Sequence, residues 1–254
     1  MSVATLAHSS RAEWSRIWSV RSSWILLAAT AAAVLGIGAL IGVDAAHDPS
    51  GLPDDATVWR GVTPTAMFAL FGTLALAVVT GTADHGTGAI VPTLQWTPRR
   101  GVLLASRVAV VVSTVTAFGA LLVGAAGLLV WALVPDVGLP LGEGASFLGG
   151  LLLVYATGSL LGVGLGLFLR STAGALVTVI GLVLVLPPLV AQLPYDWATT
   201  LSASLPGSCA IFLIFGEGPS DDMTVTSARV TLVVWAAAAL LAGGWRLIRA
   251  DANT

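Results

Sequence analysis

A chain of 254 residues that is 56% hydrophobic and only 9% charged, with a mean hydropathy of +0.94, holds more apolar residue than a soluble core of that length buries and too little charge to cover a soluble surface. Every basic residue is arginine, so the lysine-dependent phosphate loop GxxxxGK[ST] cannot be present and the chain is not itself a P-loop ATPase. A single cysteine, Cys209, excludes an intrachain disulfide, and His8, His47 and His85 stand apart, outside every apolar run, so no metal centre is expected.

Residues 5–22 come first. On a helix, Ala7, Trp14, Ile17 and Trp18 share one face and Ser15, Arg16 and Ser19 lie opposite. Trp and Arg on a modestly apolar helix suit the headgroup layer, which predicts an interfacial helix along the inner leaflet. The apolar run that follows is longer than the core of a cleaved signal peptide. The first predicted span is 24–43, without a charge and long enough to cross a ~30 Å hydrocarbon core. Residues 44–63 are polar, with four Asp, two Pro and one Arg. The second predicted span is 64–81, with Pro64 acceptable in a first helical turn.

Residues 82–107, TADHGTGAIVPTLQWTPRRGVLLASR, form a polar interruption that carries three of the eleven arginines. Thr97-Pro98 is a helix start, with Thr as N-cap and Pro at the first helical position. A helix over 98–134 would be roughly 55 Å long at 1.5 Å per residue, several turns more than the bilayer core. Its foot should therefore stand in the cytosol, with Arg99, Arg100 and Arg107 below and at the headgroups.

A short turn with Asp136 and Glu143 leads into a fourth predicted span, 145–169. Gly158, Gly162 and Gly166 line one of its faces and allow another helix to approach closely, either inside the subunit or across a dimer seam. After Arg170-Ser171-Thr172 comes a fifth predicted span, 173–190, with Pro187-Pro188 breaking or kinking its outer end. Residues 192–227 hold an amphiphilic piece (197–205), a Pro206-Gly207 break and an apolar piece from Cys209 to Phe215 that is too short to cross a bilayer. Two short re-entrant helices dipping in from the outer face are expected there. The last predicted span, 230–245, closes on Arg246 and Arg249.

Six spans leave both termini on one side. Taking that side as cytoplasmic puts nine arginines inside, against Arg60 and Arg229 outside, which satisfies the positive-inside rule. Of the acids, only Glu13, Asp84 and Asp251 fall inside. The apolar part of each predicted span, 108–134 in the third, contains no Asp, Glu, Arg or His. Such a residue costs roughly 2.5–3.5 kcal/mol at mid-membrane and is carried where ions or protons bind. Ion-coupled carriers and metal-dependent intramembrane hydrolases are disfavoured on this ground. Ser113 and Ser159 have no nearby base for serine hydrolysis. What remains is a membrane part driven by another protein, or a non-transporting membrane sensor, immunity or assembly protein.

The ordered set Asp84, Gly88-Ala89-Ile90, Thr93-Leu94, Pro98-Arg99-Arg100 and Arg107 resembles the segment after the second span of type-two ABC exporter permeases. So do Glu13-Trp14, the run Ser19-Val20-Arg21-Ser22-Ser23-Trp24, Leu205-Pro206 and the ending Arg246 to Asp251. The family acid is usually Glu, and here it is the shorter Asp84. The resemblance implies a connector helix at 5–22 carrying Trp14, Ile17, Trp18 and Arg21. It implies a cytoplasmic coupling segment, 82–97, with Asp84 as its N-cap, and Asp84, His85, Thr87, Ile90, Leu94, Arg99 and Arg100 facing a separate ABC ATPase.

On that basis the chain is a single permease domain of an all-α membrane protein in a bacterial inner (plasma) membrane, and not an enzyme. It binds no cofactor of its own, ATP and Mg being held by the ATPase subunits, and no nucleic acid. A second permease copy, identical or related, completes the path. Phe68, Phe71, Phe118 and Thr178 are candidates for the path lining. Its apolar character suits export of hydrophobic or amphiphilic drugs, antibiotics, lipid-like molecules or peptides, the chemistry of multidrug efflux and antibiotic resistance.

Overall fold

Hydrocarbon offers a backbone no hydrogen-bonding partner, so a chain this apolar must satisfy its amides within each segment, and helices do so. The computed structural model describes residues 3–48, 53, 55–86 and 100–249. Within them the protein is all-α, with no strand, and six helices are long and apolar enough to cross a membrane. These are Arg21–His47, Thr63–Gly86, Arg100–Leu133, Leu141–Leu169, the composite Thr172–Ala191, and Val225–Arg249. Five contain their predicted spans and extend them by one to five residues at an end, because polar ends continue a helix past the apolar stretch that hydropathy detects; the third stops at Leu133, one residue short, and its expected start at Thr97-Pro98 lies outside the described residues.

The connector helix, Val3–Ser19, ends one residue before the first span. Val20 is extended there and its carbonyl accepts from the Ser23 amide, which turns the chain sharply from one helix to the next. The third-span helix has 34 residues, or about 51 Å, more than the thickness of a bilayer core.

The second and fourth spans are the innermost, and the fifth and sixth leave most of their surfaces outward. Small residues set this arrangement. A Cβ on Gly158 would stand 3.3 Å from Leu74 Cδ2, one on Gly162 3.2 Å from the Cβ of Ala77, and one on Gly166 3.0 Å from Thr82 Cγ2. The stripe 158–162–166 therefore packs on the second span of the same chain, which settles its partner as internal. The opposite face of the fourth span carries the tighter contact. A Cβ on Gly164 would overlap the backbone of Ala239, and one on Gly243 the carbonyl of Gly164. The fourth and sixth spans thus meet backbone to backbone, where dispersion contacts replace the hydrophobic drive that a bilayer withholds.

The fifth span is a helix (Thr172–Ile180), a π-helical turn (Gly181–Val185) and a short helix (Leu186–Ala191). Pro187 and Pro188 lack amide hydrogens, and the looser turn ahead of them accommodates the broken ladder. The displaced Val183 carbonyl points at Gly207, where any Cβ would overlap it, and the Pro187 carbonyl accepts from Ser202 Oγ at 2.9 Å. Ser202 and Gly207 belong to two short helices, Asp196–Ala203 and Pro206–Phe215, which meet at 74°. They occupy the expected re-entrant positions, and the bent pair leans on the proline break.

The Gly164 contact separates packing from mere hydrophobicity. Gly164→Leu is expected to lower stability in detergent by about 1–3 kcal/mol, the usual cost of overpacking. Gly149→Leu, at a position with open space around it, should leave the unfolding midpoint unchanged in the same fluorescence-monitored denaturation.

Candidate coupling site at the arginine-rich end

Three elements converge where the second span ends and the third begins. Asp84 lies in the last turn of the second-span helix, Arg107 two turns into the third, and Glu13 and Arg16 one turn apart on the connector helix. Arg107 is wholly buried, and Asp84 and Glu13 are 4% and 5% exposed. Burying three charged groups is tolerable only because each is paired.

The Arg107 fork grips Glu13, with Nε donating to Oε2 at 3.3 Å and Nη2 to Oε1 at 3.1 Å. The same Nη2 donates to Asp84 Oδ2. Arg16 closes the ring from the other side, donating to Asp84 Oδ1 and lying 3.0 Å from Glu13 Oε2. Its Nη2 also donates to the Thr80 carbonyl at 2.9 Å. Two carboxylates and two guanidiniums give a neutral cluster. Arg107 Nη1 has no acceptor among the described residues. An orphaned buried donor costs about 1–3 kcal/mol.

The connector is held by more than charge. Ser9 and Ser106 hydroxyls lie 2.7 Å apart, and Ile17, 2% exposed, inserts among Leu27, Leu76, Val111 and Leu167. The buried face of this helix is therefore Ser9–Glu13–Ile17, at i, i+4, i+8. Of the residues grouped by hydropathy, Ile17 packs on the bundle while Ala7 and Trp14 stay exposed, Trp14 at 50%, and Arg16 turns toward the cluster. Trp18 is half-buried between Trp14 and Trp24, with ring centroids 5.5 and 5.2 Å away, and its carbonyl accepts from Trp24 Nε1. Arg21 is exposed.

The N-cap role expected of Asp84 is not what its carboxylate does. It sits inside a helix, not at the start of one, and two guanidiniums take both oxygens. In a low-dielectric pocket a charge-assisted pair outweighs a backbone cap. Arg107, expected at the headgroups, is instead the centre of the cluster.

His85 lies in the last turn of the same helix, while Thr87, Ile90, Leu94 and Arg99 fall outside the described residues. Arg100 donates from Nη1 to the carbonyls of Leu247 and Ile248, both at 3.0 Å, satisfying acceptors that the end of the sixth-span helix leaves open.

The four path candidates are not brought together. Phe71 lines an apolar cleft of about 230 Å³ with Leu74 and Ala75, facing Leu176, Val179 and Ile180 of the fifth span. Phe68, one turn away, is 44% exposed. Thr178 spends its hydroxyl on the Gly174 carbonyl at 2.8 Å. Phe118 packs elsewhere, against the cluster around Ile17 and Val111. A hydropathy-based choice of aromatics carries no information on which helix face they occupy, and these occupy different ones. No group of three His, Cys, Asp or Glu among the described residues could hold a metal ion.

Glu13 and Arg16 were the residues least visible as site members. A signal did exist: on a side dominated by arginine, Glu13 and Asp84 are two of only three acids.

Removing Arg107 leaves two buried carboxylates sharing the single guanidinium of Arg16, so Arg107→Met is expected to destabilise by about 3–5 kcal/mol. The double variant Glu13→Gln/Arg107→Met should lose clearly less than the two single losses summed, and strict additivity in chemical denaturation would contradict the pairing.

Compared with known proteins, the chain matches no protein-family model and no curated protein.

Proposed function

We propose that this chain is the membrane-spanning permease subunit of an ATP-driven exporter in a bacterial plasma membrane, similar to the type-two ABC exporter permeases. It moves hydrophobic or amphiphilic compounds outward by alternating access, and a separate cytoplasmic ATPase, holding ATP and Mg, supplies the energy. A second permease copy completes the path.

One observation carries this proposal. The polar segment between the second and third spans starts at Asp84 and runs into the third span ahead of Arg107. Both residues are locked, through Glu13 and Arg16, to the connector helix. A push on that segment from below is delivered to three elements at once. Breaking such a buried pair is costly, so the three move as one body. The second span then transmits the movement to the fourth through the glycine stripe, because close-packed interfaces shift as units and do not deform gradually.

The inner faces support the same function. The cleft between the second and fifth spans is lined by aliphatic residues and Phe71, with no ionisable group. Its walls suit an apolar ligand that needs no charge recognition. The π-helical turn of the fifth span borders this cleft, so its outer wall is the least regular part of the bundle.

Two results test the assignment. The chain should co-purify with an ATPase whose hydrolysis rises when hydrophobic drugs are added. Asp84→Asn should keep that complex intact while drug-stimulated hydrolysis falls by about tenfold or more, the scale of one charge-assisted contact. A stable chain that neither binds an ATPase nor transports in vesicles would instead mark a non-transporting membrane protein.

A further inference from the structure

Most hydroxyls inside the spans give their proton to their own helix. Thr30, Thr73, Thr80, Ser113, Thr157 and Thr178 each donate to a carbonyl three or four residues back, at 2.7–2.8 Å. Thr116 of the third span and Ser159 of the fourth do not. They are 8% and 0% exposed, and neither hydroxyl has a hydrogen-bond partner among the described residues. Within hydrocarbon such a bond cannot be handed to bulk solvent, so an unmade one is costly.

The two residues face one seam. The third and fourth spans run antiparallel, and their contacts set a register. A Cβ on Gly124 would stand 3.9 Å from Leu148 Cδ1, and one on Gly119 2.9 Å from Tyr155 Cδ2. From the second of these contacts, Thr116 lies three residues toward the inner end on one helix and Ser159 four residues on the other. That is a step of about 4.5 Å on the first and about 6 Å on the second. Spacings of three and four also keep each residue on the face that makes the contact. The two hydroxyls therefore enter the same seam at nearly the same depth.

The surroundings say what kind of molecule would join them. Val115 and Val163 share one buried cluster with Leu76 and Ala77 of the second span, which supplies no polar side chain there. Tyr155 and Thr73, beside Gly119, give their protons to the carbonyls of Ala66 and Leu70. No Asp, Glu, Arg or His lies within two turns of Thr116 or Ser159 along its helix, so an ion would find no counter-charge. Each hydroxyl can donate one bond and accept another. The matching ligand is small and neutral, with both a donor and an acceptor.

We propose that a single water molecule is bound between the third and fourth spans, bridging Thr116 Oγ1 and Ser159 Oγ. Buried waters serve polar groups that the protein itself leaves unsatisfied. The bridge ties the third span, whose foot carries Arg107, to the fourth at a second level. The site rests on the membrane fold alone, so it stands or falls separately from the exporter assignment.

Water-edited solid-state NMR of the full chain in lipid bilayers, with serine and threonine isotopically labelled, tests it. Magnetisation from water should reach the Cβ atoms of Thr116 and Ser159 at short mixing times. Thr30, 7% exposed and bonded to its own helix, should receive none and serves as the control. Thr116→Val keeps the shape of the side chain and should lower the water signal at Ser159 to that of Thr30. Ser159→Ala should do the same at Thr116. Each single variant also orphans the remaining hydroxyl, so in chemical denaturation Thr116→Val/Ser159→Ala should lose less than the two single losses summed.

Should Ser159→Ala fail to fold, the isosteric Thr116→Val carries the NMR test alone. Thr116 and Ser159 as dry as Thr30 in the wild type would overturn the proposal, as would a water signal that survives at one after the other is removed. Non-additive stability in a dry seam would overturn it too, marking a direct bond between the hydroxyls.

Discussion

Two carboxylates and a guanidinium out of water, with the half-buried Arg16 closing the ring beside them, are the constraint around which the inner end is built. Each ion would cost several kcal/mol if buried alone. Glu13, Arg16, Asp84 and Arg107 are therefore tolerable only together, and only in one geometry. That geometry fixes the connector helix to the foot of the third span and to the last turn of the second. Hydrophobic contact could not do this with equal specificity, because lipid is as good an apolar neighbour as another helix. Ile17 adds area under the cluster, but the ions set the register.

Deeper in the membrane, shape takes over from charge. Where dispersion must do the work, backbones have to approach, and glycine is the residue that permits it. Gly158, Gly162 and Gly166 seat the fourth span on the second, while Gly164 and Gly243 seat it on the sixth. The fourth span is thereby clamped on two faces. The fifth has no comparable clamp. Its course is interrupted by Pro187 and Pro188, and the helices of 196–203 and 206–215 brace it through Ser202 and Gly207. The bundle is accordingly rigid around the second and fourth spans and irregular beside the apolar cleft.

The two arginine groups at the inner end do different things with the same side chain. Arg107 and Arg16 are neutralised by acids and lock elements together. Arg100, Arg170 and Arg246 donate to helix-terminal carbonyls of the fourth and sixth spans. The positive-inside rule counts all of them alike. Their partners are what separate an ion-paired lock from a helix-end tie.

Much was decided by the sequence alone. Six apolar runs of bilayer length, the long third helix, a separate helix at the start and the short bent pair before the last span all follow from hydropathy, proline placement and helix rise. These properties are local, and local patterns record them. The charged cluster was a different matter. Glu13 and Arg16 read as the polar side of an amphipathic helix, Asp84 as a cap and Arg107 as a headgroup anchor. Each assignment was reasonable for an isolated segment. Only the tertiary structure brings residues 13, 16, 84 and 107 within bonding distance, and a buried salt bridge then reverses the rule that charge faces outward. The glycine stripe shows the same limit: its spacing announced close packing, but the partner helix was settled only by which backbone came to lie against it.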